Sequence, residues 1–199
     1  MAFCRRTAES LPVESNSMRI LGESHFICYN DEKKSLSIWG LTLQCFHNRE
    51  VAQMDLQIKP FSQLTNKELY QLIQLRIEVF CVEQNCVYQD CDNKDQDAWH
   101  LLLWDNGQLA GCLRILDKEK KFPEISIGRV ITAREYRGRG LGKLCMEKAV
   151  HFIKTTLGEE RIRISAQKYA KGFYESVGFV QDSGEYLEDG IMHIEMIHP

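Results

Sequence analysis

The sequence predicts an α/β domain over residues 54–199, in which helices cover both faces of a mixed β-sheet. Three observations predict this class. Strand-like and helix-like segments follow in the order β-α-β-β-β-α-β-α-β-β, Asn-Gly and Asp-Gly turns join some neighbouring strands directly, and helical stripes separate the others. Direct turns give antiparallel pairs and helical connections allow parallel ones, so both kinds are expected in one sheet.

The first elements are marked by alternation and by a helix cap. Residues 56–58 alternate as a short strand that Pro60 ends. Thr65 followed by Glu68 resembles a capping box, which predicts that a helix begins here. The apolar positions of this helix are Leu69, Leu72, Ile73, Ile77 and Phe80. The polar, Asp-rich residues 85–97 are interpreted as a solvated loop.

The later elements are separated by glycine-containing turns. Four further strands are predicted, at residues 101–104, 109–116, 125–132 and 161–166. Asn106-Gly107 is typical of a type I′ hairpin, and Asp189-Gly190 predicts a final one. Two more helices have apolar positions at Leu141, Leu144, Cys145, Ala149, Phe152, Ile153 and Leu157, and at Tyr169, Ala170, Phe173, Tyr174 and Val177.

Composition and charge exclude several classes of function. The formal net charge is -3, so no global field would attract nucleic acid or an acidic membrane surface. No apolar run reaches the roughly 20 residues that span a bilayer, and no secretory signal follows Arg5 and Arg6, so a cytoplasmic protein is expected. Residues 1–53, with a strand-like run at 36–46, are interpreted as a loosely ordered extension. The cysteines lack zinc-site spacing, so no metal is predicted.

A glycine-rich turn after the strand that ends at Thr132 carries the strongest chemical signal. Its glycines stand at alternate positions, Gly138, Gly140 and Gly142. Glycine brings bare N–H groups close to a ligand, and the positive end of a helix dipole lies beside them, so the turn predicts a pyrophosphate site. Local positive charge is added by Arg137, Arg139 and Lys143. The dinucleotide fingerprint and the Walker loop both fail because Lys143 stands at the wrong position, and a plain connecting turn is the alternative.

The same turn carries a resemblance to a known superfamily. Arg137-x-x-Gly140-x-Gly142 fits the pattern Q/R-x-x-G-x-G/A, and Gln167, Ala170 and Tyr174 fit N-x-x-A-x-x-x-Y, with glutamine where asparagine is commoner. In both motifs the chain resembles the GNAT N-acetyltransferase superfamily, which implies the GNAT acyl-CoA N-acyltransferase fold. Further blocks resemble its ElaA-like branch: Leu75-Arg76-x-x-Val79-Phe80-x-Val82-Glu83-Gln84, Tyr88-Gln89-Asp90, Ile127-Gly128-Arg129-Val130-Ile131 and Asp189-Gly190-Ile191-x-His193-Ile194.

This resemblance implies acetyl-CoA as the cosubstrate and a binding site for each of its parts. The strand that ends at Thr132 would splay from the strand at residues 161–166, and the pantetheine arm would lie in the gap. An N–H group there would polarise the thioester carbonyl. The coenzyme-binding residues expected by resemblance are Val130, Ile131, Thr132, Arg137, Gly138, Arg139, Gly140, Leu141, Gly142, Lys143, Gln167 and Phe173.

Direct attack by a neutral amine on a thioester needs an acid and a base. By family position, Tyr174 is expected to protonate the departing thiolate, and a core aromatic residue is the alternative role. Glu83 is the first candidate for the base, with His100 and His193 next. The residues expected to bind the acceptor are Arg76, His100, Arg129 and His193. Pairing of the two arginines with Glu83 as scaffold is equally open.

The function implied is transfer of an acetyl (acyl) group from acetyl-CoA to a primary amine through a ternary complex. The alternative is a non-catalytic acyl-CoA-binding regulatory module of the same fold, which would have no need of Tyr174. The acceptor, a small molecule or a protein, stays open, as does the oligomeric state, for which a homodimer is one option.

Overall fold

The computed structural model of the protein describes residues 54–199. The strand-like run predicted at residues 36–46 and the extension of residues 1–53 lie outside the described residues. The strands are β1 (Asp55–Pro60), β2 (Ala98–Asp105), β3 (Gln108–Leu116), β4 (Ile125–Thr132), β5 (Ile162–Gln167), β6 (Val180–Gln181), β7 (Tyr186–Glu188) and β8 (Ile191–His198). The α-helices are α1 (Asn66–Arg76), α2 (Leu141–Phe152) and α3 (Lys171–Glu175). Shorter helical segments are the π-helices Ile77–Glu83 and Ile153–Leu157 and the 3-10 helices Phe61–Gln63, Asp95–Asp97, Arg134–Tyr136 and Lys168–Ala170.

The described strands form one mixed sheet in the order β1-β2-β3-β4-β5-β8-β6, and β7 also pairs with β8. Among them only β4 and β5 are parallel neighbours. The predicted order of elements is therefore confirmed except for β6, whose two residues are too few to show alternation. Both predicted hairpin turns have left-handed φ angles, 48° and 81° at Asn106-Gly107 and 50° and 80° at Asp189-Gly190.

Helix α1 covers one face of the sheet and begins at the predicted capping box. The Thr65 hydroxyl accepts a hydrogen bond from the Glu68 backbone N–H at 3.2 Å, and the Glu68 carboxylate accepts one from the Thr65 N–H at 2.8 Å. Leu72 of this helix packs against Leu102 and Cys112 of the sheet. The chain then continues into the π-helix Ile77–Glu83, which leads toward the candidate site.

Helix α2 covers the opposite face, so the sheet is buried on both sides. Its buried residues Cys145, Met146 and Ala149 share a core with Leu101 and Leu103. Successive side chains of a strand point to opposite faces, which is why Leu101 and Leu103 face one core while Leu102 faces the other. Each leucine removed from water in this way contributes about 1.5–3 kcal/mol, and the two cores together fix the position of β4.

Several groups with chemical potential are accounted for by this packing. Cys112 and Cys145 are buried, and burial raises the pKa of each thiol to about 12, so they act as small apolar side chains. Within residues 54–199, no His, Cys, Asp and Glu side chains form a group of three that would hold a metal ion. In the same range, no helix has the length and apolar character needed to cross a bilayer.

Candidate active site

A gap opens in the sheet between β4 and β5. The two strands pair only at Ile125 with Ile162 and at Ser126 with Arg163, near the beginning of each strand. Beyond these pairs they separate, as the family resemblance implied. Backbone groups on this edge of β4 consequently lack a neighbouring strand and face the gap.

A β-bulge in β4 lies beside the gap. Cys112 of β3 pairs with Ile131 of β4, whereas Arg114 pairs with Gly128. Two residues of β4 therefore lie opposite one residue of β3, which is the mark of a bulge. Arg129 within the bulge has a φ angle of 53°, a left-handed conformation that costs a residue with a Cβ about 1–2 kcal/mol. The bulge changes the direction of the strand immediately before Val130, so it sets how the last residues of β4 meet the gap.

The gap widens into a cavity of about 480 Å³, within the range of ligand-binding pockets. Residues of the expected coenzyme set that line it are Val130, Ile131, Thr132, Arg137, Gly142, Gln167 and Phe173. On the other side it is lined by Glu83, Gln84, Ser165, Glu188, Asp189, Ile191 and His193. Expected coenzyme-binding residues outside this lining are Gly138, Arg139, Gly140, Leu141 and Lys143, which form the turn into α2.

The turn into α2 has the properties of an anion cradle. No acceptor in residues 54–199 takes a hydrogen bond from the N–H groups of residues 138–143, and the first helical bond is Leu144 N–H to Gly140 C=O. Gly138 and Gly140 have φ angles of 76° and 78°, and a Cβ at either would meet no atom within 4 Å. Open space in front of free N–H groups at a helix N-terminus fits a pyrophosphate.

Gly142 in the same turn is required for a different reason. A Cβ at this position would stand 3.2 Å from Thr132 Oγ1 and 3.6 Å from the Phe173 ring. Glycine therefore lets the first turn of α2 approach the end of β4 and α3, which brings the anion cradle next to the gap.

Tyr174 combines a core-like ring with a free hydroxyl. The ring packs edge-on against Phe173 and Phe179, at centroid distances of 4.9 Å and 6.2 Å. The residue lines the cavity, and its hydroxyl makes no hydrogen bond to any residue in the described part of the chain. Burial raises the pKa of Tyr174 above its ordinary value, so the phenol is protonated at neutral pH.

Glu83 lines the cavity but is held by an arginine. Its two carboxylate oxygens accept hydrogen bonds from Arg137 Nη1 and Nη2 at 2.5 Å and 2.9 Å, and Arg137 Nε donates to the Thr132 carbonyl at 3.0 Å. The hydrogen bonds from Arg137 lower the pKa of Glu83, which makes it a weak base. Arg137 thus joins the π-helix to β4, a role that the spacing of its motif did not indicate.

Arg76 and His100 lie in the protein interior rather than at the cavity, contrary to the substrate-binding role expected of them. Arg76 is 1% exposed and donates to Asp90 and Asp95, each at 2.7 Å. His100 is 0% exposed, its Nε2 lies 3.0 Å from the Asp95 carbonyl, and burial lowers the pKa of its ring. Both side chains are enclosed away from the cavity, which favours a structural role for them.

Arg129 lines the cavity, but its guanidinium is occupied. Nε donates to Asp90 Oδ1 at 2.7 Å, and Nη2 donates to the Asp90 carbonyl at 3.0 Å. Arg114 Nη1 and Nη2 donate to Asp92 Oδ1 and Oδ2 at 2.7 Å and 2.8 Å. The arginines of this Arg–Asp cluster are Arg76, Arg114 and Arg129, and its carboxylates are Asp90, Asp92 and Asp95. Arg76 and Arg129 therefore do not pair with Glu83, the scaffold role that the sequence left open. The three positive charges of the cluster are balanced by its three carboxylates.

The Arg–Asp cluster corrects the interpretation of residues 85–97 as a solvated loop. Asp90 and Asp95 are only 4% and 8% exposed. Burial raises the pKa of Asp92, but hydrogen bonds and charge from Arg114 lower it further, so this carboxyl stays ionised well below its usual range. The loop is therefore drawn onto β3 and β4, where Asp90 anchors the bulge at Arg129, and its paired carboxylates offer no free charge to a cationic acceptor.

A polar group on the side of the cavity formed by β5, β7 and β8 was missed by sequence reasoning. Ser165 Oγ lies 2.6 Å from the Tyr186 hydroxyl and donates to Glu188 Oε2 at 2.8 Å. Tyr186 stacks on His193, whose Nδ1 lies 2.8 Å from the Ile191 carbonyl. The predicted Asp189-Gly190 hairpin would have paired Tyr186 with His193, but Ser165 joins only because β8 lies beside β5.

A splayed strand pair beside a glycine-rich helix N-terminus defines an acyl-CoA-binding acyltransferase fold. Comparison with known families agrees, because the profile described as acetyltransferase (GNAT) domain matches residues 62–198. The chain belongs to the GNAT acetyltransferase family.

Similar proteins place the chain in the ElaA-like branch, as its motifs predicted. Protein ElaA of Escherichia coli is 39% identical over 137 residues, which are 68% of this chain and 90% of ElaA. A UPF0039 protein of Schizosaccharomyces pombe is 36% identical over 148 residues, 73% of this chain and 97% of that protein. The crystal structure of an acyl-CoA N-acyltransferase from Pseudomonas aeruginosa matches with a TM-score of 0.70 and 41% identity, over 73% of this chain and 99% of that one. The structure of E. coli ElaA matches with a TM-score of 0.69, 36% identity and the same coverage.

Proposed function

We propose that the protein transfers an acetyl group from acetyl-CoA to a primary amine by direct attack within a ternary complex. The observation that carries this proposal is the Tyr174 hydroxyl, which is protonated, without a partner in residues 54–199, and next to the cavity between the splayed strands. A protein that only bound the coenzyme would have no need of a proton donor there.

The coenzyme wall of the cavity is formed by the end of β4 and the turn into α2. Bound acetyl-CoA supplies an electrophilic thioester carbonyl and a thiolate leaving group. The free N–H groups of residues 138–143 would hold its pyrophosphate, and the unpaired edge of β4 at residues 130–132 would bind the pantetheine arm. An N–H group of this edge, aimed by the bulge, would stabilise negative charge on the carbonyl oxygen.

Tyr174 would act as the general acid. An ordinary thiol has a pKa of about 8.5 and an ordinary phenol one of about 10, so proton transfer in water would favour the thiolate. In the cavity, however, burial disfavours both anions, and a desolvated thiolate binds a proton more strongly than one in water. Burial therefore keeps the proton on Tyr174 until the sulfur departs, and transfer then requires that the departing thiolate be destabilised more than the phenolate.

Removal of the phenol proton donor tests this function. Tyr174→Phe keeps the ring contacts with Phe173 and Phe179, so we expect acetyl-CoA to raise the Tm of the variant and of the wild type equally. We expect thiol release from acetyl-CoA, measured over a panel of primary amines, to fall by about 10²-fold or more in kcat. Tyr70→Phe is the matched control because Tyr70 is exposed and lies outside the cavity lining.

Other results would change the proposal in defined ways. If acetyl-CoA stabilises the wild-type protein but no amine drives thiol release, an acyl-CoA-binding regulatory module is the better description. If acetyl-CoA does not bind, the assignment of the turn at residues 138–143 to pyrophosphate fails.

A further inference from the structure

We propose that His193 is the general base of this site, taking a proton from the acceptor ammonium at Nε2, and that Tyr186 is its positioning residue. The inference rests on the proposed amine acetylation and supplies the group that this reaction lacks. An alkylammonium with a pKa near 10.4 is neutral in only about a few molecules per ten thousand at pH 7. Glu83 is a weak base because Arg137 binds both of its carboxylate oxygens.

The hydrogen bond of the His193 ring fixes which nitrogen is basic. Nδ1 lies 2.8 Å from the Ile191 carbonyl oxygen. A carbonyl can only accept a hydrogen bond, so Nδ1 carries the proton and Nε2 of the neutral ring keeps its lone pair. Nε2 bonds to no residue in the described part of the chain, and His193 lines the cavity. The lone pair is therefore available to a proton from the acceptor.

The orientation of the imidazole is maintained by Tyr186. The two rings stack at a centroid distance of 6.0 Å and an angle of 28°, and the residues are paired in the β7–β8 register. Ser165 donates its single hydroxyl proton to Glu188, so Tyr186 must donate to Ser165 at their 2.6 Å contact. This chain of donors ends on a carboxylate and holds the phenol in one position.

One ionised carboxylate lies among the charged and titratable groups around His193. The neighbouring strand β7 contributes Tyr186 and Glu188, and β5 contributes Ser165 and Gln167. Glu195 lies two residues further along β8. Burial raises the pKa of Glu188, but the charge of Lys121 and the Ser165 hydrogen bond lower it further, so Glu188 is ionised near neutrality. Its negative charge stabilises the imidazolium that forms, while Glu195 is bound by Arg163 at 2.9 Å.

The proposed step is balanced in protons and electrons. His193 Nε2 takes one proton from the ammonium and passes it to water. The neutral nitrogen then forms its bond to the acetyl carbonyl carbon as the C–S bond breaks and the bonding pair goes to sulfur. Tyr174 protonates the sulfur, and the second proton lost by the nitrogen restores the phenol. One proton is released for each amide formed.

The kinetic test compares His193→Gln with His151→Gln, a substitution at an exposed histidine of α2. With an amine that the wild type acetylates, we expect His193→Gln to lower kcat/KM at pH 7 by about 10²-fold or more. The acidic limb of the pH profile, which protonation of the base produces, should disappear. Added imidazole should restore part of the activity of His193→Ala. His151→Gln should keep the wild-type kcat/KM and the acidic limb of the pH profile. In His193→Gln, His193→Ala and His151→Gln, acetyl-CoA should still raise the Tm.

Tyr186→Phe tests the positioning role. It removes the hydroxyl that anchors the stacked ring. We therefore expect kcat to fall by up to about tenfold, which corresponds to one neutral hydrogen bond. The acidic limb of the pH profile should still be present but shifted in pH. An unchanged rate and an unmoved limb would remove Tyr186 from the proposal.

A measurement without the coenzyme tests the tautomer directly. ¹⁵N NMR of the imidazole nitrogens in the full-length free protein, assigned by loss of signals in His193→Gln, should show Nδ1 protonated and Nε2 unprotonated above neutrality. The opposite tautomer, or an unchanged pH profile in His193→Gln, would overturn the inference while leaving amine acetylation in place. Absence of turnover by the wild type with every amine would overturn both.

Discussion

The two walls of the cavity present different kinds of chemical group. The coenzyme wall, formed by β4 and the turn into α2, presents backbone groups: an unpaired strand edge and the free N–H groups of residues 138–143. The acceptor wall, formed by the π-helix Ile77–Glu83, β5 and the β7–β8 hairpin, presents side chains that include Glu83, Ser165, Glu188 and His193. A backbone wall suits a cosubstrate of fixed structure, whereas a side-chain wall can be changed by substitution without altering the fold.

The Arg–Asp cluster supports both walls, because Arg129 lies in the bulge of β4 and Asp90 lies in the loop that follows the π-helix. Asp90→Asn would leave the buried Arg76 and the partly buried Arg129 with one carboxylate fewer. We expect the free energy of unfolding to fall by about 3–5 kcal/mol, measured by urea denaturation. Asp97→Asn, at an exposed aspartate paired with exposed Lys120, should cost about 1 kcal/mol or less. Equal losses in the two variants would contradict the structural role of the cluster.

The coenzyme wall is tested by a pair of glycine substitutions. Gly140→Ala and Gly107→Ala each place a Cβ on a left-handed backbone, with φ angles of 78° and 81° and no atom within 4 Å. Both should therefore lower stability by a similar amount, about 1–2 kcal/mol. Only Gly140→Ala should also weaken acetyl-CoA binding, by about tenfold or more, because its methyl group would stand in the anion cradle. Similar Kd values for the two variants would exclude the turn from the coenzyme site.

Glu83→Gln tests the acceptor wall, and we expect it to have the smallest effect on activity of the substitutions proposed, the controls apart. The Glu83–Arg137 pair is partly exposed, so its loss should lower kcat/KM by no more than about fivefold. Arg137 lowers the pKa of Glu83, so this carboxylate loses its charge only below the usual range and cannot produce a pH limb near neutrality. The acidic limb should thus persist in Glu83→Gln. Its disappearance would return the role of base to Glu83.

Sequence reasoning succeeded where the determinants are local. The capping box at Thr65 and Glu68, the hairpin at Asn106-Gly107 and the alternating glycines from Gly138 each lie within a few residues, so their spacing alone specifies geometry. The coenzyme wall is built largely from such segments. For this reason the local geometry of these segments could be anticipated, whereas the splaying of the strand that ends at Thr132 was implied only by the resemblance.

Sequence reasoning was less successful where contacts join distant segments. Arg76 meets Asp90 and Asp95 only after the polar loop folds back, and an Asp-rich stretch has the same composition whether its carboxylates are solvated or bound to buried arginines. Glu83 and Arg137 are 54 residues apart, and their pairing depends on how the π-helix approaches β4. The acceptor wall consists mainly of contacts of this kind, so the sequence could name Glu83, His100 and His193 as candidate bases but could not choose among them.

Initial-velocity kinetics test the central claim, direct transfer from acetyl-CoA to an amine, more directly than any single substitution. Acetyl-CoA and the best amine of a panel would both be varied, with thiol release followed in the wild-type protein. Direct attack within a ternary complex predicts double-reciprocal lines that intersect. Parallel lines would indicate an acetylated enzyme and contradict direct attack, and thiol release that no amine increases would contradict acetyl transfer to amines altogether.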